Sequence, residues 1–278
     1  MGREQGKGKR FQRSAGLPYH CAMRSEGFLI DLDGTVYQAG RAIPGAAAAL
    51  DELRRRGVPF RFTTNTTRRP RAALAERLAA MEIPVAAGEI LSAPSAAARW
   101  LRERGARRVE LLLARETWEE FAGMEIVDER PEYVLVGDLA EEWSFAILNR
   151  AFRNLMDGAA LVAIQKNRYW HTGDGLSLDA GPFVAALEYG SGQPATLIGK
   201  PSAAFFEAAA LELGLPKERI GVVGDDLETD VLGAREAGMT GIAVRTGKYR
   251  PGDEERAQRM ADVVLGSIAE LPAWLAGD

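Results

Sequence analysis

The sequence predicts an α/β fold, a doubly wound parallel sheet with a smaller α/β unit inserted into it. Apolar runs of strand length alternate with helical segments, the pattern of βαβ units on a parallel sheet. The runs lack polar alternation, as strands covered on both faces do. In mid-chain the alternation restarts and reads as a unit of its own. The expected division is a core of residues 26–104 and 195–278, with an insert of residues 105–194.

Taken in order, Gly27-Phe28-Leu29-Ile30 runs straight into Asp31, and Asp33 follows. This is a short buried strand ending in carboxylates, and Gly34 lets the chain turn sharply after it. A carboxylate on an apolar strand is costly unless something compensates it, and a metal ion does so. An isolated Asp-x-Asp-Gly also serves as a turn or helix start, so its meaning depends on the rest of the chain. Pro44-Gly45 opens a helix over 46–56 and Gly57 closes it. Residues 58–63 form a strand ending at Thr64-Asn65, which completes a βαβ unit. Helices follow over 70–81 and 94–104. In the insert, 109–114 and 131–136 are strands, 143–156 is an amphipathic helix, and 160–164 is a strand. A polar loop over 166–175 and a helix over 182–189 come next. Residues 195–198 form a strand ending at Gly199-Lys200-Pro201, before a helix over 202–213. Residues 220–223 form a strand ending at Gly224-Asp225-Asp226, before a helix over 229–237. Short strands at 241–244 and 262–265 close the chain.

Composition narrows the function classes. The chain has 278 residues, enough for one large domain or two modest ones. No apolar run approaches the ~18 residues of a membrane span. The single cysteine, Cys21, permits neither an internal disulfide nor a zinc cluster, which fits a reducing cytoplasm. Only His20 and His171 could serve a Ser-His-Asp triad. Net charge is −4, but residues 1–25 carry six Lys/Arg against one Glu, leaving −9 on the rest. That basic tail has no apolar core of a signal peptide and reads as disordered, with Met23 a candidate start. An acidic body argues against a nucleic-acid platform.

Four strand ends carry complementary chemistry: Asp31 with Asp33, Thr64 with Asn65, Lys200, and Asp225 with Asp226 and the later Asp230. In a parallel sheet such ends converge on one edge, where open α/β sheets bind ligands. A carboxylate nucleophile, hydroxyl and amide donors, a cation and a metal-binding acid make a phosphoryl-transfer site.

In this order the residues resemble the four motifs of the haloacid dehalogenase superfamily of phosphatases, over about residues 26–278. The likeness is greatest to the branch with a type-II (IIA) cap between the second and third motifs. Phe62-Thr63-Thr64-Asn65-Thr66-Thr67, Asp179-Ala180-Gly181-Pro182-Phe183 and Val244-Arg245-Thr246-Gly247-Lys248-Tyr249 carry it. The resemblance implies a Rossmann-like core, a cap over 105–194 and a Mg²⁺ cofactor. It implies Asp31 as the nucleophile that becomes an aspartyl-phosphate, and Asp33 as acid, then base. Asp31, Asp225 and the Asp33 backbone carbonyl would ligate the metal, with Asp226 and Asp230 orienting its waters. Lys200 would neutralise repulsion, and Thr64 and Asn65 would hold phosphoryl oxygens. It further implies a homodimer through the cap.

The loop Lys166-Asn167-Arg168-Tyr169-Trp170-His171 has two cations and three rings, so Lys166, Arg168 and His171 are candidate substrate contacts. It also reads as a hairpin end with solvated charges. Trp118 and Trp143 read as the core of the insert, and Lys248 and Arg250 as surface charges. The expected function is a Mg²⁺-dependent phosphatase of a small phosphorylated metabolite, cytoplasmic, without nucleic-acid or membrane partners. The alternative within this class is hydrolysis of a phosphoamide (phosphohistidine or phospholysine) or of inorganic pyrophosphate. The alternative from another class is a non-catalytic binding protein on the same fold, against which the presence of every motif residue argues.

Overall fold

The computed structural model describes residues 25–172 and 175–277. The expectation of a disordered tail falls on residues 1–24 and lies outside the described residues. β1 (Gly27–Asp31) is buried along its whole length, as an unbroken apolar run requires. A small hairpin of β2 (Tyr37–Gln38) and β3 (Arg41–Ala42) folds beside its end. α1 (Ala46–Arg55) turns Ala46, Ala49, Leu50 and Leu53 inward at helical spacing. β4 (Phe60–Thr64), α2 (Arg71–Ala79) and β5 (Ile90–Ser92) follow, then α3 (Ala93–Glu103), capped by the Ser92 hydroxyl.

The middle of the chain contributes β6 (Arg108–Leu112), β7 (Glu125–Ile126), β8 (Tyr133–Val136), α4 (Phe145–Met156) and β9 (Ala160–Ala163). β10 (Tyr169–Thr172), β11 (Gly175–Leu178), α5 (Ala180–Ser191) and β12 (Thr196–Leu197) come next. The last part runs through α6 (Ala203–Leu213) and β13 (Ile220–Gly224) to a π-helical turn at Leu227–Leu232 that continues as α7 (Gly233–Glu236). β14 (Thr240–Val244), α8 (Glu254–Met260), β15 (Val263–Leu265) and α9 (Leu271–Ala276) complete it.

The first sheet has six parallel strands in the order β15-β14-β13-β1-β4-β5. The chain works outward from β1 on one side, then returns to build the other side from β13. The switch point lies between β1 and β13, where carboxyl-end loops diverge and leave a crevice. This is the Rossmann-like doubly wound architecture that the alternation predicts. A second parallel sheet, β12-β9-β8-β6-β7, comes from the middle of the chain. One apolar cluster spans the two: it contains Leu29 and Leu91 of the first sheet, Val109, Leu135 and Val162 of the second, and Ala97 and Leu101 of α3.

Two sequence readings are corrected. The strand near residues 195–198 belongs to the second sheet, because Thr196 pairs with Val162 and Leu197 with Ala163. The second sheet therefore extends past the expected boundary at 194/195, and Lys200 arrives on a loop rather than at the end of a core strand. The segment 166–175 is not all loop: β10 pairs antiparallel with β11, Tyr169 opposite Leu178. The run Tyr169-Trp170-His171-Thr172 carries no polar–apolar alternation to mark it as a strand in the sequence.

Candidate active site

The crevice at the switch point gathers the ends of three core strands. Asp31 ends β1, Thr64 ends β4, and Asp225 follows β13. The loop after β12 adds Lys200, almost wholly buried, whose Nζ donates to Asp31 Oδ1 and to Asp230 Oδ1, both at 2.6 Å. Asp230 sits in the π-helical turn, and its second oxygen accepts the Asp226 N–H at 3.3 Å. Burial sets the charge state of this cluster. It raises the Asp31 carboxyl against the pull of Lys200. It also raises Asp225 to about 8, with the charges of Asp31 and Asp230 acting in the same direction. Desolvation by the buried site opposes charge on Lys200, but Asp230 and Asp31 more than offset it and hold the ammonium charged.

The donor set suits a hard divalent cation. Asp31, Asp225 and Asp230 each bring an oxygen, all within 4.8 Å of one another. Three buried carboxyl groups face one ammonium, so a cation that displaces their protons is well matched, and an all-oxygen set favours Mg²⁺-type rather than zinc-type ions. Asp225 is closely cradled: the Lys248 N–H donates to its Oδ2 at 2.6 Å, and a Cβ at Gly34 or Gly247 would overlap that oxygen. Asp33 points into the crevice, where desolvation raises its carboxyl while the charge of Arg77, then Lys248, lowers it.

The Asn65 side chain is committed to the protein. Its Nδ2 donates to the Lys200 carbonyl at 2.9 Å and its Oδ1 accepts the Lys200 N–H at 2.9 Å. The loop can come this close because residue 199 is glycine; a Cβ there would overlap the Ile164 carbonyl. Thr64 Oγ1 donates to Thr66 Oγ1 at 3.0 Å and accepts the Thr66 N–H at 3.1 Å, turning the loop under the crevice.

A cavity of about 530 Å³ opens over these groups, and Asp138, Gln165, Asn167 and Asp179 of the middle region line it too. Lys166 and Arg168 do not. Residues leaving β9 alternate in direction, so Gln165 and Asn167 face the cavity and their neighbours face away. Lys166 instead donates to both carboxylate oxygens of Glu188, at 2.8 and 3.0 Å. The His171 backbone lies in β10, and its side chain is outside the described residues. Lys248, read from sequence as a surface charge, lines the cavity and donates to Asp226 Oδ2 at 2.7 Å. Arg68, Arg69 and Arg77 also line it and carried no sequence signal beyond their charge. Trp118 and Trp143 pack within the middle region, Trp143 stacked on Phe183 at 4.2 Å.

A family model for haloacid dehalogenase-like hydrolases matches residues 28–126, and a second, HAD-hydrolase-like model matches residues 197–271. Human haloacid dehalogenase-like hydrolase domain-containing protein 2 is 44% identical over 228 residues, which is 82% of this chain and 87% of that protein. The chain belongs to the haloacid dehalogenase-like hydrolases. Phospholysine phosphohistidine inorganic pyrophosphate phosphatase of Xenopus laevis is 36% identical, covering 87% of this chain and 91% of that protein. Among solved structures of this hydrolase family, 4-nitrophenylphosphatase from Thermotoga maritima superposes with a TM-score of 0.84 at 29% identity, covering 91% of this chain and 98% of that one. NagD from E. coli K-12 superposes at 0.82 with 26% identity, covering 89% and 98%. The chain is thus a haloacid dehalogenase-like hydrolase of the phosphatase type. No described helix is long and apolar enough to cross a membrane.

Proposed function

We propose that the protein is a Mg²⁺-dependent phosphatase that hydrolyses a small phosphorylated metabolite through a phosphoryl group carried on Asp31. The observation that carries this is the buried set of Asp31, Lys200, Asp225 and Asp230 at the switch point, with Asp33 two residues beyond the nucleophile. Asp31, Asp225 and the Asp33 carbonyl would hold the ion, since both oxygens of Asp230 already serve Lys200 and the Asp226 N–H. When bound, Mg²⁺ offsets the charge of the phosphoryl oxygens.

The chain's own groups do the rest. Asp31 attacks phosphorus, and Asp33 gives its proton to the leaving oxygen. Burial raises its carboxyl above the ordinary carboxylate range, which favours the protonated form that the step needs. Asp33 then takes a proton from the water that attacks the aspartyl-phosphate, which returns Asp31. Lys200 screens Asp31 from the incoming phosphate, and the Thr64 hydroxyl with its loop supports the phosphoryl oxygens. The middle region built on the second sheet, β12 included, acts as the cap that closes over this chemistry and selects the leaving group, with Gln165 and Asn167 as its contacts. The identity to the Xenopus enzyme favours phosphoamides or inorganic pyrophosphate as the runner-up substrates.

The test is 4-nitrophenyl phosphate hydrolysis by the purified protein with Mg²⁺, with EDTA, and as Asp31→Asn. Hydrolysis that needs the metal and vanishes in the variant is expected. Full activity in EDTA, or in a folded Asp31→Asn protein, overturns the reading. Adding pyrophosphate and a phosphoramidate decides between the substrate classes.

A further inference from the structure

Two cations in the catalytic cavity are used by no step above. Four arginines, Arg68, Arg69, Arg71 and Arg77, follow β4 and divide by role. Arg68 pairs with Asp138 at 2.5 Å and Arg71 with Glu120 at 2.8 Å, so the loop before α2 and the first residue of α2 are tied to the middle region. Arg69 and Arg77 line the cavity. Among the described residues Arg69 makes no hydrogen bond and no ion pair, and the Arg77 guanidinium stacks 4.7 Å from the centroid of Tyr37. Tyr37 itself lines the cavity and is held by the turn that carries Asp33, its carbonyl accepting the Gly34 N–H at 2.6 Å. A guanidinium laid on a ring is fixed in place while its N–H edge stays free, a geometry matched to an oxyanion. A cavity of about 530 Å³ also has room beyond one phosphoryl group.

We propose that Arg69 and Arg77 form a second anion subsite beside the phosphoryl site, so that the substrate is a phosphorylated small molecule whose leaving group carries its own oxyanion, a carboxylate or a second phosphate. This rests on the phosphatase reading. The competing role for these cations is to balance the acids of the cavity, which would affect every phosphate ester alike.

The experiment uses the full chain with Mg²⁺. Phosphorylated ω-hydroxycarboxylates of increasing length are compared with the matching phosphorylated diols, and alkyl bisphosphates form a third arm. The wild type is expected to prefer an anionic leaving group by ~10-fold or more in kcat/KM at one spacing, the size of one charge-assisted hydrogen bond. In the Arg69→Gln/Arg77→Gln double variant that ratio should fall towards one. The carboxylate and bisphosphate arms distinguish the two oxyanions. A wild-type ratio near one at every length in both arms, or a uniform loss in the variant with the ratio retained, overturns the proposal. Should the double variant misfold, Arg69→Gln alone, at an exposed position, gives the same ratio. If no ester is hydrolysed, the phosphatase reading falls. The subsite is then decided by calorimetry of ω-phosphonocarboxylates against alkylphosphonates, with the same expected ratio and the same refutation.

Discussion

Asn65→Ala removes the clamp on the loop that carries the buried cation. The two bonds to the Lys200 backbone, both 2.9 Å, contribute about 1 kcal/mol each, and their loss strands two backbone groups. The functional cost follows from the position of the ammonium, now 2.6 Å from Asp31 and from Asp230. At an effective dielectric of ~20, a unit charge pair interacts by about 6 kcal/mol at that distance, and a retreat of ~1 Å removes about 2 kcal/mol. If the ammonium loses the same contact with the transferring phosphoryl group, kcat falls by roughly 20-fold. The assay is kcat and KM for 4-nitrophenyl phosphate with Mg²⁺, alongside Tm and inhibition by inorganic phosphate. Asn65→Asp keeps the acceptor for the Lys200 N–H, so it should be milder than Asn65→Ala. The sequence reading, in which the Asn65 amide grips the phosphate, orders them the other way, because a carboxylate would then face an anion. A more damaging Asn65→Asp with weakened phosphate inhibition, or a fully active Asn65→Ala, refutes the clamp.

The metal-free protein should lose stability as pH rises. Asp225 keeps its proton in the folded state up to about 8 against 3.8 as a free side chain, so unfolding releases a proton across that interval and Tm falls through it. Asp225→Asn should flatten that Tm profile, and Mg²⁺ should raise Tm more at pH 8 than at pH 6, because ion and proton compete for the same carboxylate; equal Mg²⁺ shifts at both pH values would count against this. Glu120→Gln breaks the contact of the middle region with Arg71, a partly exposed pair, and should lower Tm by a few degrees, roughly 1–2 kcal/mol; scanning calorimetry reads this directly, and an unchanged Tm would show the contact to be idle. Asn167→Ala should change the ranking of substrates by kcat/KM, whereas Lys166→Ala should leave that ranking alone; the reverse pattern would place the wrong side of the chain in the cavity.

The sequence by itself determined the α/β class, the run of strands and helices, and which side chains stand at the ends of β1, β4 and β13. These are local properties. An apolar run, its terminating glycine and the carboxylate beside it lie within a few residues of one another, so Asp31, Thr64 and Asp225 could be placed at strand ends before any partner was known. Tertiary structure decided the rest, because partner and direction are not local. A strand as short as β12 satisfies its pattern in either sheet, and only pairing with β9 shows that Lys200 enters from the second one. Asn65 had an amide of known chemistry, but the approach of Lys200 from 135 residues away decides what it binds. Residues 166–171 read as a cationic loop, yet the phase of the chain leaving β9 turns the amides of Gln165 and Asn167, not Lys166 and Arg168, into the cavity. Arg69 and Arg77 differ from Arg68 and Arg71 only in what lies opposite them, since composition counts charges and the packed fold assigns each one a partner.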